Sequence, residues 1–120
     1  MTLSIKRSLL VEDNAFIAMD CEEMLRELGA ETVEVCSTVQ SALAYLSKDS
    51  VDFAMLDVNL GSETSAPIAE RLSEQNIPFL FATGHEDVPD FASPHAQANV
   101  VQKPYSVQTI EQAISQLKPD

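Results

Sequence analysis

Short apolar runs alternate with longer segments whose apolar residues recur at helical spacing, and the alternation repeats five times along the chain. Ser4 to Val11 reads as a first strand, stopped by Glu12 and Asp13. From Asn14 to Leu28, Ile17, Cys21, Met24 and Leu28 mark one helical face, with Gly29 as its C-terminal stop. Residues 31–36 alternate polar with apolar, the pattern of a strand near a sheet edge. Ser37 with Gln40 predicts a capping box before a second helix that carries Val39, Leu43 and Leu46 on one side. The run Val51-Asp52-Phe53-Ala54-Met55-Leu56-Asp57 is a buried strand that spends its last position on a carboxylate. A loop over 58–65 follows.

Pro67 suits the first turn of a third helix, which Ile68, Ala69 and Leu72 carry to about Gln75. Residues 77–83 form a fourth strand with Pro78 confined to its start, and Gly84 breaks it. Between His85 and Ala98, Pro89 and Pro94 leave room only for a short or kinked fourth helix. Residues 99–102 are a short fifth strand, followed by Lys103-Pro104. Ser106 can cap a last helix whose Val107, Ile110, Ile114 and Leu117 form a stripe. Strands alternating with helices imply an α/β fold: a doubly wound, flavodoxin-like (βα)5 three-layer sandwich with a parallel sheet in the order 2-1-3-4-5.

Composition narrows the function classes. A chain of 120 residues with 45% apolar content is one domain with a real core, and no second, output domain is expected over residues 1–120. The net charge of −12 argues against nucleic acid and against anionic membrane surfaces as partners. No signal peptide and no membrane-crossing apolar span is legible, so a cytoplasmic protein is expected. Cys21 and Cys36 stand in apolar-periodic segments with no metal-ligand spacing, which reads as two buried, reduced thiols.

In a parallel sheet the C-terminal ends of all strands lie along one edge, so residues distant in sequence converge there. Those ends carry Glu12-Asp13, Asp57, Thr83 and Lys103. Taken singly, each has an ordinary role: helix-start charge for the acids, a turn for Thr83-Gly84 and Lys103-Pro104, a cap for Asp57. Taken together, three carboxylates call for a hard cation such as Mg²⁺. A lysine and a hydroxyl opposite them describe a site for a phosphoryl group, with a carboxylate as the nucleophile.

The ordered combination of Glu-Asp, Asp, Thr-Gly and Lys-Pro after strands one, three, four and five resembles the receiver domain of two-component response regulators over essentially the whole chain. The resemblance implies a phosphoacceptor at Asp57, with Asp13, Asp57 and the Asn59 backbone carbonyl on Mg²⁺ and Glu12 acting mainly through metal-bound water. It further implies that Thr83 contacts the phosphoryl oxygens, that Lys103 neutralises them, and that the Lys103–Pro104 peptide is cis. Residues 78–84 and Asp57-Val58-Asn59-Leu60-Gly61 look like the receiver subgroup nicknamed "FAT GUY", which implies bacterial, stress-related signalling. His85 and Glu86 depart from that subgroup, which has a hydrophobic residue and a tyrosine there. Val100 stands where most receivers carry an aromatic switch residue, and Tyr105 is aromatic at a different offset, where packing at a strand end is expected.

The expected function is that of a stand-alone receiver, phosphorylated by a histidine kinase or phosphotransfer protein. It would catalyse only its own phosphorylation and dephosphorylation, and would signal through a protein target or act as a phosphoryl shuttle or sink. Asn59 and His85 are expected to modulate the lifetime of the phosphorylated form. The resemblance implies that a partner would use the last helix, the fifth strand and the 84–98 segment. One alternative is a pseudo-receiver, a binding module that is not phosphorylated. A flavodoxin-like cofactor binder is disfavoured because acids, rather than a phosphate-binding loop, follow the first strand.

Overall fold

The computed structural model describes residues 5–83, 100–102 and 105–117. The elements, in chain order, are β1 (Arg7–Val11), α1 (Ala15–Glu27), β2 (Thr32–Cys36), α2 (Val39–Lys48), β3 (Phe53–Asp57), β4 (Asn59–Leu60), β5 (Glu63–Thr64), α3 (Ala66–Glu74), β6 (Phe79–Thr83), β7 (Val100–Gln102) and α4 (Val107–Ser115). Five strands form one parallel sheet in the order β2-β1-β3-β6-β7, and β4 and β5 form a separate antiparallel hairpin. Numbered among themselves, the five sheet strands run 2-1-3-4-5, the doubly wound order expected from the sequence. Four helices are described; the expected short helix within 85–98 and the expected cis Lys103–Pro104 peptide lie outside the described residues.

The sheet is the middle of three layers. Side chains alternate along each strand, and the two faces bury two separate cores. Leu9, Val11, Ala54, Leu56, Phe79 and Phe81 face α2 and α3. Leu10, Phe53, Met55, Leu80 and Ala82 face α1 and α4. Phe53, Leu56, Leu80 and Phe81 have no exposed surface, and burial at this level is worth about 1.5–3 kcal/mol per side chain. The expected edge position of β2 holds in the strand order, and of its residues only Cys36 at its end is buried.

The structure corrects several local expectations. The buried stripe of α1 is Ala18, Cys21 and Leu25, turned from the expected face so that Met24 and Leu28 flank the core. Phe16 and Met19 are left outside, 81% and 64% exposed. The capping box of α2 is Thr38 with Ser41, one residue beyond the expected Ser37 and Gln40: the Ser41 N–H donates to Thr38 Oγ1 at 3.0 Å and the Thr38 N–H donates to Ser41 Oγ at 3.3 Å. The expected 58–65 loop is largely the β4–β5 hairpin, turned by Gly61 at φ +68°, a left-handed conformation that costs glycine nothing. Ser106 caps α4 as expected, in a second reciprocal box with Thr109. Cys21 and Cys36 are buried and not joined in a disulfide, and the Cys21 thiol lies 3.4 Å from Met55 Sδ. Burial pushes the Cys36 thiol up, against a lowering hydrogen bond from Ser41 and with a further raising effect from Glu34.

Candidate functional site

The strand registers bring distant residues to one edge. Val11 is level with Leu56, so Glu12 and Asp13 leave β1 beside the end of β3. Asp57 is level with Ala82, which puts Thr83 one residue beyond it on β6, and Thr83 is in turn level with Gln102. Alternation along the strands sets Glu12 in step with Leu10, and Asp57 in step with Phe53 and Met55, on the α1/α4 side of the sheet.

Local structure holds the acids in place. The Glu12 N–H donates to Cys36 O at 3.0 Å, tying the residue to the edge strand. Glu12 Oε2 accepts the Asn14 N–H at 3.1 Å. Asn14 then caps α1 by accepting the Phe16 and Ile17 N–H groups at 3.0 and 3.1 Å. The chain from Glu12 to α1 is therefore a hydrogen-bonded turn, with Asp13 on its exposed side. Glu12 is buried, Asp57 is 8% exposed at the sheet rim, and Asp13 is exposed.

Carboxylate oxygens of Glu12, Asp13 and Asp57 all lie within 4.8 Å of one another. Like charges at this spacing repel, and a cation among them removes the repulsion. The donor set is all oxygen, from three separate side chains with one of them open to solvent. That suits a hard divalent ion that keeps several waters, and not a soft metal that prefers sulfur or imidazole. These three of the expected site residues are brought together directly. Asn59 begins the hairpin two residues past Asp57, its backbone paired with Thr64. Thr83 is placed by its backbone at the end of β6. Lys103 and His85 lie outside the described residues.

One residue near the site was expected only to pack. Tyr105 does rest against the α1/α4 core, as its position predicted. Its phenol is also held well above its ordinary range by burial first, then by the charge and hydrogen bond of Cys21, and then by the negative charges of Glu12 and Asp57. Tyr105 therefore sits within electrostatic reach of the acidic cluster. Its place two residues after Lys103 was the available signal.

The response regulator receiver domain model matches residues 9–115. The chain is similar to SdrG from Sphingomonas melonis Fr1, with 37% identity and a TM-score of 0.79, covering 95% of this chain and 96% of that one. Its similarity to the BeF3-activated conformation of SdrG, from Pseudomonas melonis Fr1, is 38% identity with a TM-score of 0.73, over 92% and 94% of the two chains. Among curated proteins it is 24% identical over 115 residues to the sensory transduction protein LytR of Staphylococcus haemolyticus, 93% of this chain but only 45% of that protein. The chain thus spans about half the length of the curated relatives it matches. The order of the parallel sheet, the acids at its C-terminal edge and these matches lead to one family: the chain belongs to the response regulator receiver domains.

Proposed function

We propose that this receiver accepts a phosphoryl group on Asp57 from the phosphohistidine of a histidine kinase or phosphotransfer protein, and passes the event on by protein–protein contact or serves as a phosphoryl shuttle or sink. The observation that carries the reading is the convergence of Glu12, Asp13 and Asp57 oxygens within 4.8 Å at the functional edge of the sheet. A carboxylate oxygen of Asp57 attacks phosphorus, the bond from phosphorus to the donor imidazole breaks, and that imidazole leaves with its electron pair. Water later cleaves the acyl phosphate, returning the carboxylate and inorganic phosphate.

The residues divide the work. Asp13 and Asp57, with the Asn59 backbone carbonyl, would hold Mg²⁺, and Glu12 would act mainly through metal-bound water. When bound, the ion would neutralise charge on the incoming phosphoryl oxygens. Thr83 donates its hydroxyl to a phosphoryl oxygen and Lys103 balances the added charge, which is roughly −2 on a phosphorylated side chain. Asn59 and His85 flank the route of the attacking water and set the lifetime of the phosphorylated form. Unchanged hydrolysis in His85→Ala would remove His85 from that role.

No helix among the described residues is long and apolar enough to cross a membrane. The reading is tested by incubating the protein with acetyl phosphate and Mg²⁺ and measuring intact mass. One phosphoryl adduct on the wild type, absent from Asp57→Asn and absent with EDTA, is expected. No adduct, or an equal one on Asp57→Asn, would reject it in favour of a receiver fold used only for binding.

A further inference from the structure

Three of the four described helices begin in the same way. Asn14, Thr38 and Ser106 have extended backbones, with ψ of 116°, 161° and 171°, and each side chain accepts an N–H of its own first turn. Ser65, at the start of α3, does neither. Its ψ is 10°, its side chain makes no cap bond, and the residue has no exposed surface. Among the described residues, its Oγ is the buried side-chain oxygen or nitrogen that lacks a hydrogen-bond partner. Leaving a hydroxyl in that state opposes folding, and an arrangement that gave it a partner would relieve that cost.

The location gives this arrangement a consequence. The Ser65 N–H donates to Val58 O at 3.1 Å, the Val58 N–H donates to Ala82 O at 3.0 Å, and Ser65 O accepts the Ala69 N–H at 3.0 Å. Ser65 therefore joins α3 to Val58, the residue between Asp57 and the hairpin. Turning its ψ toward the extended value of the other three caps would bring Oγ onto the first turn of α3. Pro67 has no amide hydrogen, which leaves the Ile68 N–H, at the third helical position, as the acceptor's natural partner. The same turn swings the β4–β5 hairpin, with Asn59 at its start, relative to α3.

We propose that Ser65 is a two-position hinge: uncapped in the present arrangement, and capping α3 through Ile68 when phosphorylation at Asp57 draws the hairpin toward the site. The hinge regulates the site of the proposed function and rests on Asp57 being the phosphoacceptor. It gives the phosphorylation event a route to α3 that does not need an aromatic residue at Val100.

The test is amide hydrogen exchange at Ile68, read by NMR, with intact mass on the same samples, for wild type and Ser65→Ala with and without acetyl phosphate and Mg²⁺. Wild type is expected to take one phosphoryl group and to slow exchange at Ile68 by about fivefold, the protection that a typical N-cap supplies. Ser65→Ala removes only an unpartnered hydroxyl and so keeps the fold; it is expected to take the phosphoryl group without that protection. Phosphorylated wild type with unchanged exchange at Ile68, or Ser65→Ala with the same protection as wild type, would overturn the hinge and leave Asp57 as phosphoacceptor. Absence of the adduct in wild type would overturn both.

Discussion

Asp57→Asn removes one charge from a cluster of three with almost no change in shape, and its effect on stability can be worked from the geometry. Oxygens of Glu12 and Asp13 lie within 4.8 Å of an Asp57 oxygen. At that separation each like-charge pair costs about 0.9 kcal/mol in bulk water and about 3.5 kcal/mol at an effective dielectric of 20. Asp57 and Glu12 are buried at the rim and Asp13 is exposed, so the real screening lies between these limits. Salt at 0.1 M does little over a distance about half its Debye length of roughly 10 Å. Relief of both repulsions should stabilise the metal-free protein by about 2 kcal/mol, which raises the melting temperature by about 8 °C for a domain of this size. The order reverses with Mg²⁺. Wild type at about one hundred times its Kd gains about 2.7 kcal/mol, and the variant, short of one ligand, gains far less. The assay is thermal unfolding by circular dichroism in EDTA and across a Mg²⁺ series. A variant less stable than wild type in EDTA would refute the repulsion argument, and equal gains from Mg²⁺ would show that Asp57 is not a ligand.

Three further outcomes follow from the packing and the caps. Because the folded-state value of the Tyr105 phenol is raised, its contribution to stability is complete below about pH 10 and is lost as the pH rises beyond that, at up to about 1.4 kcal/mol per pH unit; urea midpoints between pH 9 and 11 should fall more steeply for wild type than for Tyr105→Phe, and identical slopes would remove Tyr105 as the cause. Thr38→Ala should cost about 1 kcal/mol through loss of the α2 cap, measured by urea denaturation, whereas Ser37→Ala should be near neutral; the opposite ranking would restore the cap expected from sequence. Phe81→Ala empties a fully buried site and removes the edge-to-face contact with Phe79 at 5.4 Å, so a loss of about 3–5 kcal/mol is expected in the same assay, and a loss below about 1 kcal/mol would mean that the α2/α3 core repacks around the cavity.

The sheet and its acidic edge were legible because their signals are strong and independent. A buried apolar run has little reason to end in a carboxylate, and Asp57 does so beside Glu12 and Asp13 once the strands are ordered. The rotation of α1 was less legible: Ile17, Cys21, Met24 and Leu28 satisfy helical spacing as well as Ala18, Cys21 and Leu25 do, and a small alanine carries little weight in such a pattern. Ser37 and Thr38 are both good caps, and only the observed backbone chooses between them. The β4–β5 hairpin has two residues per strand, too few for any periodicity to show. The unpartnered hydroxyl of Ser65 could not be read at all, since Ser65 before Ala66 and Pro67 looks like an ordinary helix start. Tyr105 was read as a packing residue; its exposure to the charges of Glu12 and Asp57 depends on the α1/α4 core having been built beneath it.

The chemistry at Asp57 can be read most directly by trapping it. An acyl phosphate is reduced by borohydride to the alcohol, whereas an unmodified carboxylate is not. The protein would be treated with acetyl phosphate and Mg²⁺, reduced, digested and sequenced by tandem mass spectrometry. Homoserine at position 57 alone is the expected result. Homoserine at Asp13 or any other aspartate in place of Asp57, or no reduction product anywhere despite a phosphoryl adduct, would contradict the assignment of Asp57 as the phosphoacceptor.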